Sequence, residues 1–499
     1  MHRKKLTSAI LAIALIAALL SFASSAALAA GDTFTMVSAG GRHSLAIKAD
    51  GSLWYWGADY LYQYGVSSTV PFSALPVKVL DNAESASAGG GHSLAIKTDG
   101  SLWAWGLNDS GQLGDGTTTN RPDPVKIMDE VTFVSAGSSH SLAIKTDGSL
   151  WAWGSNAYGQ LGDGTGGERD ALSTAPVKIM DDVAVAATGY YHTLAIKADG
   201  SLWAWGMNSY GQIGDGTGGS DENYYPFFRN TPIKIMDGAT SVSAGGSYSM
   251  AIKTDGSLWA WGGLNYNYMG GETSIITEQY TPLQIMDGVA SVSAGSNFTT
   301  VIKTDGSLWA WGYGPRGQIG AGSDVQSVYT PTRILSGVAS VSSGDSHSLA
   351  IKTDGSLWAW GDNRSGQVGD MWHEHCFSPT QVFAYDISVY LDGRLLSFDV
   401  PPYLINGRTL VPLRVIFDEL GASIVWDNLT KTVTATKGDT VVALTIGDSS
   451  PTVNGQVVPI DQPMIAVSGR KLVPLRFVAE AFDVKVDWNP ATWTVTITS

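Results

Sequence analysis

Cysteine is almost absent from this 499-residue sequence, since Cys376 is the single one. No disulfide can form within the chain, so burial of apolar side chains has to supply its stability, and the length suffices for that. Basic residues are also scarce: 30 Lys and Arg stand against 45 Asp and Glu, a formal net charge of −15. Because nucleic acid is bound through basic patches that displace counterions, we expect no nucleic-acid partner.

Long apolar runs are missing too, except near the N-terminus. A basic head at residues 2–5 precedes an apolar run from Ala9 to Leu20 and the pattern Ala27-Leu28-Ala29, the order found in a secretory signal peptide. A membrane anchor is the alternative, but this run would rise only about 18 Å as a helix, against a hydrocarbon core of about 30 Å. We expect residues 1–29 to be removed and the mature chain to be secreted or associated with the cell envelope, without membrane insertion.

One phrase, L-A-I-K-T-D-G-S-L-W-A-W-G, recurs with small changes along the chain. Its first tryptophan returns at nearly constant intervals, at Trp54, Trp103, Trp151, Trp203, Trp259, Trp309 and Trp358. A period near fifty residues is the length of one four-stranded propeller blade. The seven copies predict a mainly β protein with a seven-bladed β-propeller over residues 30–383.

Each copy also predicts how its blade packs. In the strand that follows the Asp-Gly turn, Trp103 and Trp105 share one face, and Leu102 and Ala104 share the other. We expect the tryptophan face of one blade to pack on the alanine face of the next. The fourteen tryptophans of these pairs are then core residues and not a sugar-stacking stripe.

A glycine-rich turn follows the tryptophan pair in five copies, as in Gly111-Gln112-Leu113-Gly114. No helix is expected after it, so turn geometry is favoured over phosphate binding. The repeat as a whole, H-S-L-A-I-K-T-D-G-S-L-W-A-W-G-x-N-x-x-G-Q-L-G, resembles that of the regulator of chromosome condensation over residues 34–383. The resemblance implies a seven-bladed propeller. The eukaryotic namesake is a nuclear exchange factor for a small GTPase that binds chromatin, and the signal peptide and acidic charge make guanine nucleotide exchange the function we favour least.

A different tandem repeat fills residues 384–499. A constant shift of sixty-two positions places Leu410–Arg414 on Leu472–Arg476 and Trp426 on Trp488. Each half predicts strands, a short amphipathic helix at 415–420 or 477–482, and a β-hairpin, which together make a small α+β domain.

The motif Asn406–Arg414 in this region resembles the copper amine oxidase N-terminal-like, or stalk, domain of exported bacterial proteins. In the oxidase this module is a structural appendage, and histidines of a separate domain hold the copper. No histidine occurs after His375 in this sequence. The resemblance therefore implies a spacer or an envelope anchor, with no amine oxidase activity and no cofactor.

Histidines form two candidate clusters. One repeat position holds His43, His92, His140, His192 and His347, but Tyr248 and Phe298 occupy it in the fifth and sixth blades. Aromatic replacements keep the shape and lose ligation, so we favour a histidine that donates to a loop backbone over a ring of metal ligands. His373, His375 and Cys376 are suitable zinc or copper donors, but their spacing is tighter than usual, and we predict a solvated loop and no metal site.

Aromatic side chains crowd three loops, at residues 59–64, 223–228 and 265–268, where other blades carry Gly, Thr and Asp. Exposed aromatic groups rimmed by polar ones are typical of a binding patch, although packing within the loop is the alternative. The candidate ligand-binding residues are Tyr224, Tyr225, Phe227, Phe228, Tyr266 and Tyr268.

No catalytic motif is found, so the sequence favours a non-enzymatic binding or scaffold protein. Its propeller loops would face a protein or cell-envelope polysaccharide partner. The alternative is an extracellular hydrolase that uses carboxylates on one propeller face. Two or more buried acids with raised pKa on that face would favour the hydrolase.

Overall fold

The computed structural model describes residues 33–58, 72–220, 227–263, 278–322, 325–370, 374–382, 387–398, 400, 402–405, 408–467, 470–489 and 493–498. The predicted signal peptide lies outside these ranges. Within them, no helix combines the length and the apolar character that a membrane crossing needs. Strands dominate, and the predicted propeller followed by a small α+β domain is confirmed.

Seven sheets form the propeller, and each contains four consecutive antiparallel strands. The strands of blades 1 to 4 are β1 (Phe34–Ala39), β2 (His43–Lys48), β3 (Leu53–Ala58), β4 (Phe72–Leu80); β5 (Ala83–Ala88), β6 (His92–Lys97), β7 (Leu102–Gly106), β8 (Arg121–Met128); β9 (Val131–Ala136), β10 (His140–Lys145), β11 (Leu150–Ser155), β12 (Leu172–Met180); β13 (Val183–Thr188), β14 (His192–Lys197), β15 (Leu202–Met207), β16 (Phe228–Met236). Those of blades 5 to 7 are β17 (Ala239–Ala244), β18 (Tyr248–Lys253), β19 (Leu258–Gly262), β20 (Gln279–Met286); β21 (Val289–Ala294), β22 (Phe298–Lys303), β23 (Leu308–Tyr313), β24 (Ser327–Leu335); β25 (Val338–Ser343), β26 (His347–Lys352), β27 (Leu357–Asp362), β28 (His375–Val382).

The ring closes by contact between blades 1 and 7. The first strand of every blade contacts the first strands of both neighbours, so these seven strands surround the axis. β1 lies beside β25 and β26 as β5 lies beside β1 and β2. The Phe34 N–H donates to the Gly355 carbonyl at 3.0 Å. Between blades 1 and 2, the Ala83 N–H makes the equivalent bond to the Gly51 carbonyl. Closure therefore repeats the ordinary contact between blades.

A glycine at the end of each first strand lets the blades approach at the axis. A Cβ on any of the seven would lie 2.3–2.9 Å from the carbonyl oxygen of the equivalent glycine in the next blade. No side chain fits at that distance, which explains why every copy has glycine there. They are Gly40, Gly89, Gly137, Gly189, Gly245, Gly295 and Gly344.

The tryptophan pairs pack between blades, but their two members differ. Trp153 of blade 3 shares a buried cluster with Leu94, Leu102 and Ala104 of blade 2, so the predicted packing of opposite faces is confirmed. The second tryptophan of each pair is buried. The first is only half-buried in blades 2 to 7. The prediction that all fourteen are core residues was therefore too broad, because the first of each pair lies next to the exposed Asp-Gly turn.

The described residues of the C-terminal module form three sheets and two helices. Its elements are β29 (Ser388–Leu391), β30 (Arg394–Leu395), β31 (Tyr403–Ile405), β32 (Arg408–Pro412), α1 (Leu413–Glu419), β33 (Ser423–Asp427), β34 (Thr432–Lys437), β35 (Thr440–Thr445), β36 (Thr452–Val453), β37 (Gln456–Val457), β38 (Ile465–Val467), β39 (Arg470–Pro474), α2 (Leu475–Ala481), β40 (Lys485–Asn489) and β41 (Thr494–Thr498). Both helices begin two residues earlier than predicted, directly after a proline. Val400, Leu410 and Leu472 of this module pack beside Val77 on β4, so the module contacts blade 1.

Candidate binding face of the propeller

One end of the propeller carries the longer loops. Because the four strands of a blade are antiparallel, the turn between strands one and two and the loop between strands three and four lie at the same end. The Asp-Gly turns lie at the other end. We call the first end the loop face. Phe227 and Phe228 of the predicted aromatic loops lie at this end.

The glycine-rich turns join neighbouring blades at the loop face. The Gln112 carbonyl in blade 2 accepts hydrogen bonds from Trp153 Nε1 at 2.9 Å and from Ser141 Oγ at 2.7 Å, both in blade 3. The carbonyls of Gln160, Gln212, Gln318 and Gln367 accept the same tryptophan bond from their next blade. Gly114 has a φ of +79°, and a Cβ there would lie 2.7 Å from Trp153 Nε1. The prediction that these glycines serve turn geometry agrees with both observations.

The histidines at the shared repeat position belong to the same network. His92 Nε2 lies 2.8 Å from Ser141 Oγ. Since that hydroxyl donates its hydrogen to Gln112, it accepts one from the histidine, which fixes the Nε2–H tautomer. Equivalent contacts of 2.9–3.1 Å join His43, His140, His192 and His347 to Ser93, Thr193, Ser249 and Ser44.

These histidines therefore join blades. We expected a loop-backbone partner, and the partner of each Nε2 is instead a hydroxyl of the next blade. Burial lowers their pKa to about 3 for His43, His92 and His140 and to about 4 for His192 and His347.

Of the candidate metal ligands, His373 lies outside the described residues. His375 and Cys376 are neighbours on β28, so their side chains point to opposite faces of the blade. Burial, followed by the nearby Asp370 carboxylate, raises the pKa of the Cys376 thiol to about 12. No group of three or more His, Cys, Asp or Glu side chains suited to a metal occurs in the described part of the chain.

Two of the candidate ligand-binding residues can be placed. Tyr224, Tyr225, Tyr266 and Tyr268 lie outside the described residues. Phe227 is 46% exposed on the loop face. Phe228 is half-buried at the start of β16, and its ring covers Gly167 of blade 3, so it contributes to packing between blades.

The structure adds four tyrosines that the sequence analysis did not single out. Tyr191 and Tyr210 are 37% and 36% exposed, and Tyr158 meets Tyr191 edge to face with ring centroids 5.1 Å apart. Tyr190 meets Tyr191 in the same way at 6.3 Å. Together with Phe227 these residues form what we call the aromatic sector, over blades 3 and 4. The sequence does contain a signal, since the other blades carry only Gly, Ser, Asp, Arg or Asn at the positions of Tyr190 and Tyr191.

Opposite the aromatic sector, blades 6 and 7 carry charge. Asp362 is buried and accepts a bidentate bond from Arg364 at 2.9 and 2.8 Å and another from Arg316 at 3.2 Å. Burial raises the pKa of this carboxyl, but the hydrogen bonds from Arg364 and the charges of both arginines outweigh burial and lower it. We call Asp362, Arg364 and Arg316 the charged sector.

Tyr190 spans the mouth of the axial channel. It lines this mouth together with Asp345 of blade 7 and Ser296 of blade 6, on the far side of the axis. A cavity of about 80 Å³ lies at this mouth. Burial raises the pKa of Asp345, and the Tyr190 hydroxyl and the Arg42 charge oppose that rise. The buried carboxyl Asp362 of the same face has a lowered pKa, so these two acids do not form the pair that would favour a hydrolase.

Two family models match the chain. The RCC1-like domain model matches residues 21–239 and 181–392, and the copper amine oxidase N-terminal domain model matches residues 390–497. Similar solved structures include human WBSCR16, with a TM-score of 0.59, 23% identity, and coverage of 68% of this chain and 95% of that one. Prp20p from Saccharomyces cerevisiae gives a TM-score of 0.55 at 21% identity, covering 64% and 84%.

Curated relatives share shorter stretches. The chain is 33% identical over 85 residues to the regulator of chromosome condensation of Xenopus laevis, covering 17% of this chain and 19% of the relative. It is 30% identical over 97 residues to the human probable E3 ubiquitin-protein ligase HERC4, covering 19% and 9%. The matches thus span less than a fifth of either relative. Since the first model covers most of the sequence, the chain belongs to the RCC1-like domain family, and a copper amine oxidase N-terminal domain follows its propeller.

Proposed function

We propose that this chain is an exported, non-enzymatic binding protein whose loop face holds a protein partner at the aromatic sector. The observation that carries the proposal is the exposure of Tyr191, Tyr210 and Phe227 together on the loop face. Rigid aromatic side chains lose little conformational entropy on binding and concentrate interface energy.

Two further points support a protein as the partner. Tyrosine and arginine are enriched in protein interfaces, and the loop face carries both, with the aromatic and charged sectors on opposite sides of the channel mouth. Prp20p, which shares the fold, binds Gsp1p and histones. A polysaccharide partner on this face is the competing outcome of the test below.

The repeats themselves supply the substitutions for that test. Ser110 of blade 2 stands where blade 4 has Tyr210, and Ser247 of blade 5 stands where it has Tyr191. The double variant Tyr191→Ser/Tyr210→Ser should therefore fold normally. We expect it to weaken partner binding at least about 100-fold, since anchoring aromatic residues contribute about 2 kcal/mol each.

Binding is measured with the immobilised mature protein against solubilised envelope proteins and, separately, purified envelope polysaccharides. Lys178→Ala is the control, because that side chain is exposed on blade 3 and makes a surface ion pair with Asp181. Equal retention of every envelope protein by the wild type and the double variant would refute binding of a protein at the aromatic sector. If the double variant instead loses polysaccharide that the wild type retains, and no protein is retained, the partner at this sector is a glycan.

Export has its own test. N-terminal sequencing of the protein purified from the outside of the producing cell should begin at or near Ala30, since the signal pattern ends at Ala29. A product that retains Met1 and stays in the cytoplasm would remove the basis for an extracellular partner.

A further inference from the structure

The C-terminal module contains two equivalent grooves. β32 and β39 pair antiparallel with Val411 opposite Val473, which are the same position in the two repeats. The repeats are therefore related by a local two-fold axis at this pair. As a result each groove combines the helix and hairpin of one repeat with the arginine-bearing strand of the other.

The duplication includes the groove lining. The first groove, about 720 Å³, is lined by ten residues, and each has its repeat counterpart in the second, about 680 Å³. Trp426 corresponds to Trp488 and Arg414 to Arg476, while Arg470 corresponds to Arg408. The arginines are exposed, so core packing does not require the same residue in both repeats. Both volumes fall within the roughly 300–1,000 Å³ typical of ligand sites.

Each groove places an indole beside polar groups in fixed positions. Trp488 is half-buried, and the neighbouring Arg408 and Asp461 form a two-bond pair at 3.0 and 2.6 Å. Arg476 lies 3.4 Å from Glu480 on the same helix. In the other groove the Lys471 ammonium lies 4.5 Å from the centre of a Trp426 ring.

We propose that each groove binds sugar rings of an envelope polysaccharide. One face of a pyranose is a patch of C–H groups that packs on an indole, and its rim carries hydroxyls that both donate and accept hydrogen bonds. In the second groove, Arg408 beside Asp461 offers donors and acceptors side by side, which matches that rim. In the first groove, Arg414, Arg470 and Lys471 offer donors to the same hydroxyls.

The duplication itself favours a polymer of identical units. A polysaccharide presents the same unit to both grooves, whereas a peptide would have to repeat its sequence. Two linked sites on one chain can strengthen binding by about 10²–10⁴ over one site alone. The proposal concerns the C-terminal module and does not depend on the loop face.

The test titrates the full mature chain with soluble tetramers of β-1,4-linked N-acetylglucosamine and of glucose by calorimetry. One of these tetramers should bind at two sites per chain. Trp426→Leu or Trp488→Leu should reduce the number of sites to one, and the double variant should bind none. On the matching insoluble polymer, chitin or cellulose, loss of one groove should weaken retention about 100-fold or more, because avidity is lost.

Val425→Ser is the matched control, since Val425 is 69% exposed beside Trp426 and does not line the groove. Should a tryptophan variant unfold, Arg414→Gln and Arg476→Gln test the same grooves from exposed positions. Tyr191→Ser/Tyr210→Ser on the loop face should leave sugar binding unchanged. The proposal is overturned if neither tetramer nor polymer binds, if the groove variants bind like Val425→Ser, or if the grooves take a peptide and no sugar.

Discussion

Acidification from pH 7.5 to 5.5 should lower the free energy of unfolding by about 7 kcal/mol, or about 1.4 kcal/mol for each of five buried histidines. Burial lowers the pKa of these five side chains to about 3 or 4 in the folded chain. An unfolded histidine has a pKa near 6.5, so at pH 5.5 it binds a proton that the folded one does not.

The sign follows from the direction of these shifts. A histidine with a lowered folded pKa contributes its full stability above pH 6.5 and loses it as the pH falls toward the folded value. Asp345 acts in the opposite direction, because its pKa is raised. The loss of stability is about half of what a protein typically has in total. The range stops at pH 5.5 because the sequence pI is about 4.8, where low net charge promotes precipitation.

Urea unfolding at several pH values measures this loss, and its slope counts the protons taken up. His140→Phe is the sharpest variant, since Phe298 already occupies the same position, fully buried, in blade 6. The slope of the unfolding free energy against pH should then correspond to about one proton fewer. The fall in unfolding free energy between pH 7.5 and 5.5 should be smaller by about 1.4 kcal/mol. If His140→Phe leaves the pH dependence of the unfolding free energy unchanged, the buried histidines are not the groups that cause the loss of stability.

The repeat architecture was predictable because its signals are local. The tryptophan spacing counts the blades, and the alternation around Trp103 and Trp105 assigns faces to one strand, which the packing between blades confirms. The histidine partners were not predictable in this way. His92 and Ser141 lie 49 residues apart, and their contact depends on how far one blade is rotated against the next.

The aromatic sector and the grooves were missed for the same reason. Tyr158 and Tyr191 come from neighbouring blades and meet only once the ring is formed. In the C-terminal module, the constant sequence shift reveals the repeat but not the two-fold axis, so nothing in the sequence places Arg408 in the groove of Trp488. Contacts that depend on the arrangement of whole repeats need the structure.

The second large effect is expected from the tryptophan pair of blade 3. Trp153→Ala should lower the free energy of unfolding by about 3–5 kcal/mol, because the cavity would open between two rigid sheets that cannot close it. Trp153 is fully buried, and its Nε1–H donates to the Gln112 carbonyl of the previous blade. The substitution therefore removes both apolar contact and a hydrogen bond from the interface of blades 2 and 3.

Trp151→Ala is the matched control, since it deletes the same side chain two residues away on the same strand. Trp151 is half-buried, and its Nε1–H donates within the blade to Ser149 Oγ at 2.9 Å. Trp151→Ala should lower the free energy of unfolding by only about 1–2 kcal/mol, because part of the Trp151 surface already contacts water. Equilibrium urea unfolding of both variants at pH 7.5 measures the difference. Equal losses would mean that the two indoles share one environment, and the assignment of the second tryptophan alone to the interface between blades would fail.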